Sequence, residues 1–591
     1  MSENKINNKY VWATEDIYPT IETWEKDFAF VKDNIDFSRF KGKLSDKKEF
    51  LNCMKEKERV VRVLDKLSVY AYMNYDKDTK NSFYDSLNQR VSMLATTLSE
   101  NISFIVPELT KLNSKTLEEY IQDKDLSDYD YFLKSLIKQK KHILSYKEEK
   151  LLALLGQTTS SFKDIFTKAD NADLQLAPIT YEGKEYPMSH GYYGLYMHQG
   201  ERGLREKVFT EYYGAYLKMI NTITATYFGN VKKNVFYSKV RKYKSALEMM
   251  LDDEDVSPKV YKNLIKSVNK SLPLLHKYMS VKKKTLGLKK MYMYDAYVPL
   301  VENAELSLSY DEAYDLVVKG LSVLGEDYVN LLKKAKEDRW IDVLETEGKR
   351  SGAYSICVYD THPFVLLNYQ PTTHDVFTIA HEMGHSLHSH FSNKNQPYEK
   401  ADYRIFVAEV ASTVNEVLLA RHLLNTSSDI NLKKYLLTYL LEMIRTTLYR
   451  QTQFSEFEEW AHKSVENGVP LNKDNLTEKY RKLNEKYYGK AVCSEGLIGY
   501  EWARIPHFYR AFYVYKYATG IISALAISNR ILTEGEPAIN DYFKFLSSGG
   551  SNSPVELLLL AGVDLNSEEP FNSAFKVFSD TLNEFIELSK K

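Results

Sequence analysis

Along much of the chain, apolar residues recur at three- and four-residue spacing with charged residues between them. The segments "ERVVRVLDKLSVYAYMNYD" (58–76) and "KYLLTYLLEMIRTTLYRQTQF" (434–454) show the pattern clearly, and each predicts an amphipathic helix. Proline (15) and glycine (24) are too sparse in 591 residues to interrupt this often. Strand text is local. "APITYEGKEYPMSHG" (177–191) predicts a small hairpin turning at Glu182–Gly183. "GAYSICVYDTHPFVLLNYQ" (352–370) holds two β-rich runs separated by Asp360–Pro363. The pattern therefore predicts a mainly α chain with a small β-sheet. Near residues 170–200 helical text gives way to strand text. This places an N-terminal helical domain at 1–180 and a larger domain, carrying the chemistry, at 181–591.

Composition narrows the function classes. Lysine plus arginine (79) balances aspartate plus glutamate (80), so nothing global attracts the chain to nucleic acid or anionic lipid. Cys53, Cys357 and Cys493 form no CxxC pair and suit a reducing compartment. The opening "MSENKINNKYVWATEDIYPT" is polar, and no apolar run is long enough to span a bilayer. A cytoplasmic protein without nucleic-acid or membrane partners is expected, and its oligomeric state is left open. Most of the 46 tyrosines are expected to be packing residues.

Immediately after the second strand segment comes "IAHEMGHSLHSHF" (379–391), with four histidines and a glutamate. Thr372 can cap a helix here, with Asp375 three residues on. Val376, Ala380, Met383 and Leu387 supply its apolar stripe. His381 and His385 then lie one turn apart on the same face and can converge on one ion. Glu382 lies further round, where it can hold a water without ligating the metal, which is the arrangement of a zinc hydrolase. A catalytic zinc needs a third protein ligand and an open fourth position. Glu409, in "FVAEVASTVNEVLL", lies on a second predicted helix with the stripe Phe406, Val410, Val414 and Val417, and is the preferred third ligand. Glu416, two turns further on, is better placed to hydrogen-bond a ligating histidine than to bind metal. His388 is the alternative third ligand. One straight helix would then have to wrap three imidazoles around one ion, with no glycine between His385 and His388 to break it. His388 and His390 otherwise read as neighbours of the site or as solvent contacts.

The blocks "GAYS", "NYQPTTHDVFTIAHEMGHSLHS", "FVAEVASTVNE", "HFYRAFYVYKYATG" and "YFKFLSSGGSNSPVELLLLAGVD" resemble, in order, those of oligoendopeptidase F, a branch of the zinc oligopeptidases related to thimet oligopeptidase. "YVWATEDIYPT" is similar to that branch's opening, so the resemblance covers nearly the whole chain. It implies two helical lobes flanking a deep substrate channel, one Zn2+ per chain at the channel floor, and activity on short peptides rather than folded proteins. It implies His381 and His385 as metal ligands, Glu382 as general base, Glu409 as the glutamate ligand and Glu416 as the second acidic residue. His507 begins the histidine–tyrosine segment. The tyrosine spacing here departs from the thimet branch.

The expected activity is zinc-dependent hydrolysis of internal bonds in oligopeptides, with Glu382 assisting attack by a zinc-bound water. The edge of Phe364–Asn368 is expected to pair with the substrate main chain. Tyr509, Tyr513 and Tyr517 recur every four residues and predict one helical stripe. Tyr513 and Tyr517 would offer hydroxyls to the oxyanion, and Tyr509 would pack. The alternative is a peptide-binding protein whose zinc is structural and whose Glu382 is dispensable.

Overall fold

Helical text becomes helix almost throughout. The computed structural model describes residues 8–301, 304 and 306–590, and they are 73% helical with only small sheets. The first seven residues of the polar opening segment lie outside the described residues. Segment 58–76 lies within α1 (Lys47–Lys77), whose N-cap Asp46 accepts from Glu49 N and which buries Val60, Leu64, Leu67 and Tyr70. Segment 434–454 is not one regular helix. A helix over Ile430–Ile444 passes through a five-residue π turn, Arg445–Tyr449, into a further helix. The fully buried Arg445 sits at this turn, paired with Glu442 and hydrogen-bonded to the Tyr488 hydroxyl.

Packing groups the chain into two units, each built from three separated stretches. One unit comprises residues 1–141, 305–422 and 527–563; the other comprises 142–304, 423–526 and 564–591. The sequence pattern alone predicts a single boundary at 180.

The first unit carries the sheet and the HExxH segment. Its strands are β1 (Ile341–Asp342), β2 (Tyr354–Ile356) and β3 (Phe364–Leu366). β3 is central, parallel to β1 and antiparallel to β2. Phe364 and Leu366 join the core of the N-terminal helices, with Trp12, Phe50 and Leu67. Both edges of β3 are therefore occupied, and the expectation that the Phe364–Asn368 edge pairs with substrate is corrected. The run is apolar because it is the buried middle strand; β1 and β2 hold the two outer positions. On β2 the side chains alternate as a strand requires. Tyr354 and Ile356 pack toward the N-terminal helices, while Ser355 Oγ lies 2.8 Å from Ser386 Oγ on the HExxH helix.

In the second unit the predicted hairpin is present, with Ile179–Tyr181 antiparallel to Lys184–Tyr186. Glu182 (φ 48°) and Gly183 (φ 78°) both take positive φ, as a tight two-residue hairpin loop requires.

Candidate active site

The HExxH segment lies on α2 (Thr373–Asn395), begun by Thr372, whose hydroxyl accepts from Asp375 N at 3.2 Å. Val376, Ala380, Met383 and Leu387 are buried, as their spacing predicts. The second helix, α3 (Ile405–Thr426), likewise buries Phe406, Val410, Val414 and Val417. Two residues that the pattern did not single out set how closely these helices pack. A Cβ on Gly384 would lie 2.5 Å from Ser412 Cα and 2.8 Å from Ala411 O, so only glycine admits this approach. Fully buried Asn415 donates from its side chain to Ala380 O at 2.9 Å and accepts from Tyr328 Oη at 2.9 Å. The available signal was a helix-weakening glycine inside an otherwise continuous helical pattern.

This close packing brings three donor atoms together. His381 Nε2 and His385 Nε2 are 3.2 Å apart, and Glu409 Oε2 is 3.4 Å from the first and 3.5 Å from the second. Bonds of about 2.0–2.1 Å at the tetrahedral angle would separate the ligand atoms of a zinc ion by about 3.3–3.4 Å. The donor set fits such an ion and leaves one position open. Among the described residues no fourth His, Cys, Asp or Glu joins the cluster. Glu416 stands behind His381, accepting from Nδ1 at 2.7 Å and leaving Nε2 free to face the metal position.

The electrostatics favour a cation. Burial works against a charged His381, but hydrogen bonds to Glu409 and Glu416 outweigh it and push its pKa up to about 10. Burial likewise works to raise Glu409, but the two imidazoles hold its carboxyl well below the usual carboxylate range. Glu382 is buried, and its Oε2 has no hydrogen-bond partner. Burial raises its pKa, against the pull of His381 and His385. Such a carboxyl beside an open metal position is suited to receiving a proton.

His388 lies outside the cluster. Its ring is buried and stacks on Tyr403 at 3.8 Å, and burial lowers its pKa to about 3. His390 packs near Trp340, with ring centroids 6.0 Å apart.

The histidine–tyrosine segment belongs to the second unit. It is not one helix, so the predicted stripe of Tyr509, Tyr513 and Tyr517 is corrected. Tyr509 ends a short 3-10 turn (Pro506–Tyr509), and regular helix resumes only at Tyr515. Phe512, at φ 52°, turns the chain between them. The turn sets Tyr513 and Tyr517 against His507: the Tyr517 hydroxyl is 3.4 Å from His507 Nε2, and the Tyr513 and Tyr517 rings are 5.4 Å apart. Tyr509 is buried and stacked on Phe166 at 4.3 Å. The structure thus groups Tyr513 and Tyr517 with His507 and leaves Tyr509 in the core.

Residues 195–577 match the model of peptidase family M3, and residues 108–175 match that of oligopeptidase F. The chain belongs to peptidase family M3. It is a metalloendopeptidase. Similarity to oligoendopeptidase F relatives extends from end to end. The chain is 42% identical to oligopeptidase PepF of Bacillus subtilis over 100% of its length and 88% of the relative's. It is 37% identical to an oligoendopeptidase F homolog of Lactococcus lactis, covering 100% and 99% of the two chains. The crystal structure of oligoendopeptidase-F from Enterococcus faecium superposes with a TM-score of 0.73 at 33% identity, covering 96% of this chain and 99% of that one. Among the described residues no helix is long and apolar enough to cross a membrane.

Proposed function

We propose that this M3 chain is a zinc-dependent endopeptidase that cuts internal bonds of short oligopeptides in the cytoplasm. The observation that carries the reading is the near-equal 3.2–3.5 Å spacing of donor atoms from His381, His385 and Glu409, with Glu382 on the same helix as the two histidines. The names of the relatives, oligopeptidase and oligoendopeptidase, support the substrate class.

His381, His385 and Glu409 would hold the metal, with Glu416 fixing the His381 ring through Nδ1. Zinc bound there would supply a Lewis acid and would lower the pKa of a bound water toward about 7. Glu382 takes the proton of the attacking water and passes it to the leaving amine. Its buried, unpartnered oxygen leaves it a base with no competing hydrogen bond. Tyr517 and Tyr513, beside His507, are the donors for the developing oxyanion, since a phenol stays neutral across the working pH range. The outer edge of β2 is the strand on which an extended peptide can be added. Ser355 couples that strand to the HExxH helix.

The test is metal analysis of the purified chain together with cleavage of an internally quenched peptide, before and after chelation. One zinc per chain and activity that vanishes on chelation and returns on adding zinc are expected. Full activity in metal-free protein would overturn the reading.

A further inference from the structure

One buried acid in the second unit has no part in the chemistry above. Glu458 lies on α4 (Arg450–Glu466), is 1% exposed, and pairs with no cation among the described residues. Its Oε1 accepts from Phe512 N at 2.7 Å, while Oε2 has no hydrogen-bond partner. Phe512 is the residue held at φ 52°, a region that a bulky side chain rarely occupies. The Phe512 ring is itself buried, against the His462 imidazole at 4.6 Å. His462 is fixed in turn, through Nδ1 on Glu458 O at 2.8 Å and Nε2 beside Asn234 at 3.1 Å. A strained turn survives only where its surroundings over-determine it, and here the acceptor is a single oxygen of a buried carboxyl. The residue after the turn is Tyr513.

We infer that Glu458 is a positioning residue: it holds the Arg510–Val514 turn in the left-handed conformation that sets Tyr513 against His507 and Tyr517. Placing a carboxyl in the core is costly unless its oxygens are used, and the oxygen in use fixes this turn. Helix capping does not explain it, because Glu458 lies in the interior of α4. Ion pairing does not either, because burial, opposed only by the Phe512 N–H, is what moves its pKa, up to about 8.

The inference rests on the reading of Tyr513 and Tyr517 as substrate-facing donors, and the experiment separates the two. In the zinc-loaded enzyme, Glu458→Leu removes the acceptor at similar volume. Glu458→Gln keeps an oxygen that can accept from Phe512 N. Hydrogen exchange in the Arg510–Val514 turn, kcat and KM are measured for both, and kcat also for Tyr513→Phe and for the Glu458→Leu/Tyr513→Phe double variant. Expected for Glu458→Leu are faster exchange in the turn and a fall in kcat of about tenfold to a hundredfold, as misplacement on the order of 1 Å produces, with KM near wild type. Glu458→Gln should restore both. The double variant should be no slower than the slower single variant, because Glu458 acts through Tyr513. Unchanged exchange in the turn of Glu458→Leu overturns the inference. So does a loss in Glu458→Gln as large as in Glu458→Leu, and should the leucine variant fail to fold, increased exchange in the turn of Glu458→Gln overturns it alone. If Tyr513→Phe keeps full kcat while the turn loosens in Glu458→Leu, the positioning role stands, and it is the oxyanion assignment of Tyr513 that fails.

Discussion

Ser412 occupies the space that a side chain at Gly384 would need: a Cβ there would lie 2.5 Å from Ser412 Cα. Gly384, inside HEMGH, is thus a point of close approach between the helix that carries both histidines and the helix that carries Glu409. Gly384→Ala should push the two helices apart, costing about 1–3 kcal/mol in stability as overpacking does. It should weaken metal binding more than an alanine elsewhere on either helix, because Glu409 moves relative to both imidazoles. Calorimetric melting and competitive zinc titration check both. Wild-type zinc affinity in Gly384→Ala would mean that the contact gives way without disturbing the site.

On the proposed roles, Glu382→Gln removes the proton acceptor and no metal ligand. Zinc content and peptide binding should persist while kcat falls by about a hundredfold or more, in line with the loss of a general base. Activity within tenfold of wild type would take Glu382 out of the mechanism.

His388 and Glu409 compete on paper for the third ligand position, and the structure separates them by chemistry. Glu409 faces both imidazoles, whereas His388 is stacked on Tyr403 with its pKa lowered to about 3 by burial. Glu409→Ala should empty the site at zinc concentrations that saturate wild type. His388→Phe keeps a ring on Tyr403 and should leave zinc content unchanged. An empty His388→Phe enzyme beside a fully loaded Glu409→Ala enzyme reverses the assignment.

The HExxH helix, its cap at Thr372, its apolar stripe and the position of Glu416 behind His381 were all legible in the sequence, because helical periodicity determines which residues share a face. The helix pair was legible for the same reason. The sheet was legible as strands but not as an order. An apolar run such as Phe364–Leu366 reads alike whether it is buried in the middle or lies at an edge, and only the pairing with β1 and β2 decides. The four-residue tyrosine spacing predicts a helix through Phe512, and the chain turns there instead. That residue holds a positive φ without being glycine, so no local signal marked it. Its conformation depends on Glu458, which is distant in sequence.

Glu458 also makes a stability prediction. Burial holds its pKa at about 8 in the folded chain, against an ordinary value of 4.5. The folded state therefore binds more protons between these values, and wild-type stability is lost as pH rises through that window. Glutamine carries no such charge. The melting temperature of Glu458→Gln should match wild type near pH 4, exceed it increasingly as pH rises toward 8, and keep a constant lead above that. Tyr227 and Tyr261 lie within electrostatic reach of the carboxyl and His462 donates to the Glu458 carbonyl; all are common to both proteins, so the difference isolates Glu458. A lead that is independent of pH would mean that the carboxyl does not titrate in this window.

The tyrosines of the histidine–tyrosine segment divide by environment. Tyr509 is buried against Phe166, and its hydroxyl has no hydrogen-bond partner, so Tyr509→Phe discards a desolvated polar atom and keeps the ring. It should leave kcat unchanged and melting temperature equal or higher. Tyr513 and Tyr517 are half-buried and their rings cluster with that of exposed His507, which suits groups that meet a substrate. Loss of one oxyanion donor typically costs about 10²–10³ in kcat. Tyr517→Phe and Tyr513→Phe keep their aromatic contacts, so either loss should appear in kcat with zinc content and melting temperature near wild type. The two need not be equal: the Tyr517 hydroxyl, 3.4 Å from His507 Nε2, is the one whose orientation the imidazole can set. His507→Ala should then lower kcat in wild type and have little further effect in Tyr517→Phe. If both phenylalanine variants at 513 and 517 keep wild-type kcat, the cluster is packing alone, and a loss of kcat in His507→Ala would identify the imidazole itself as the donor.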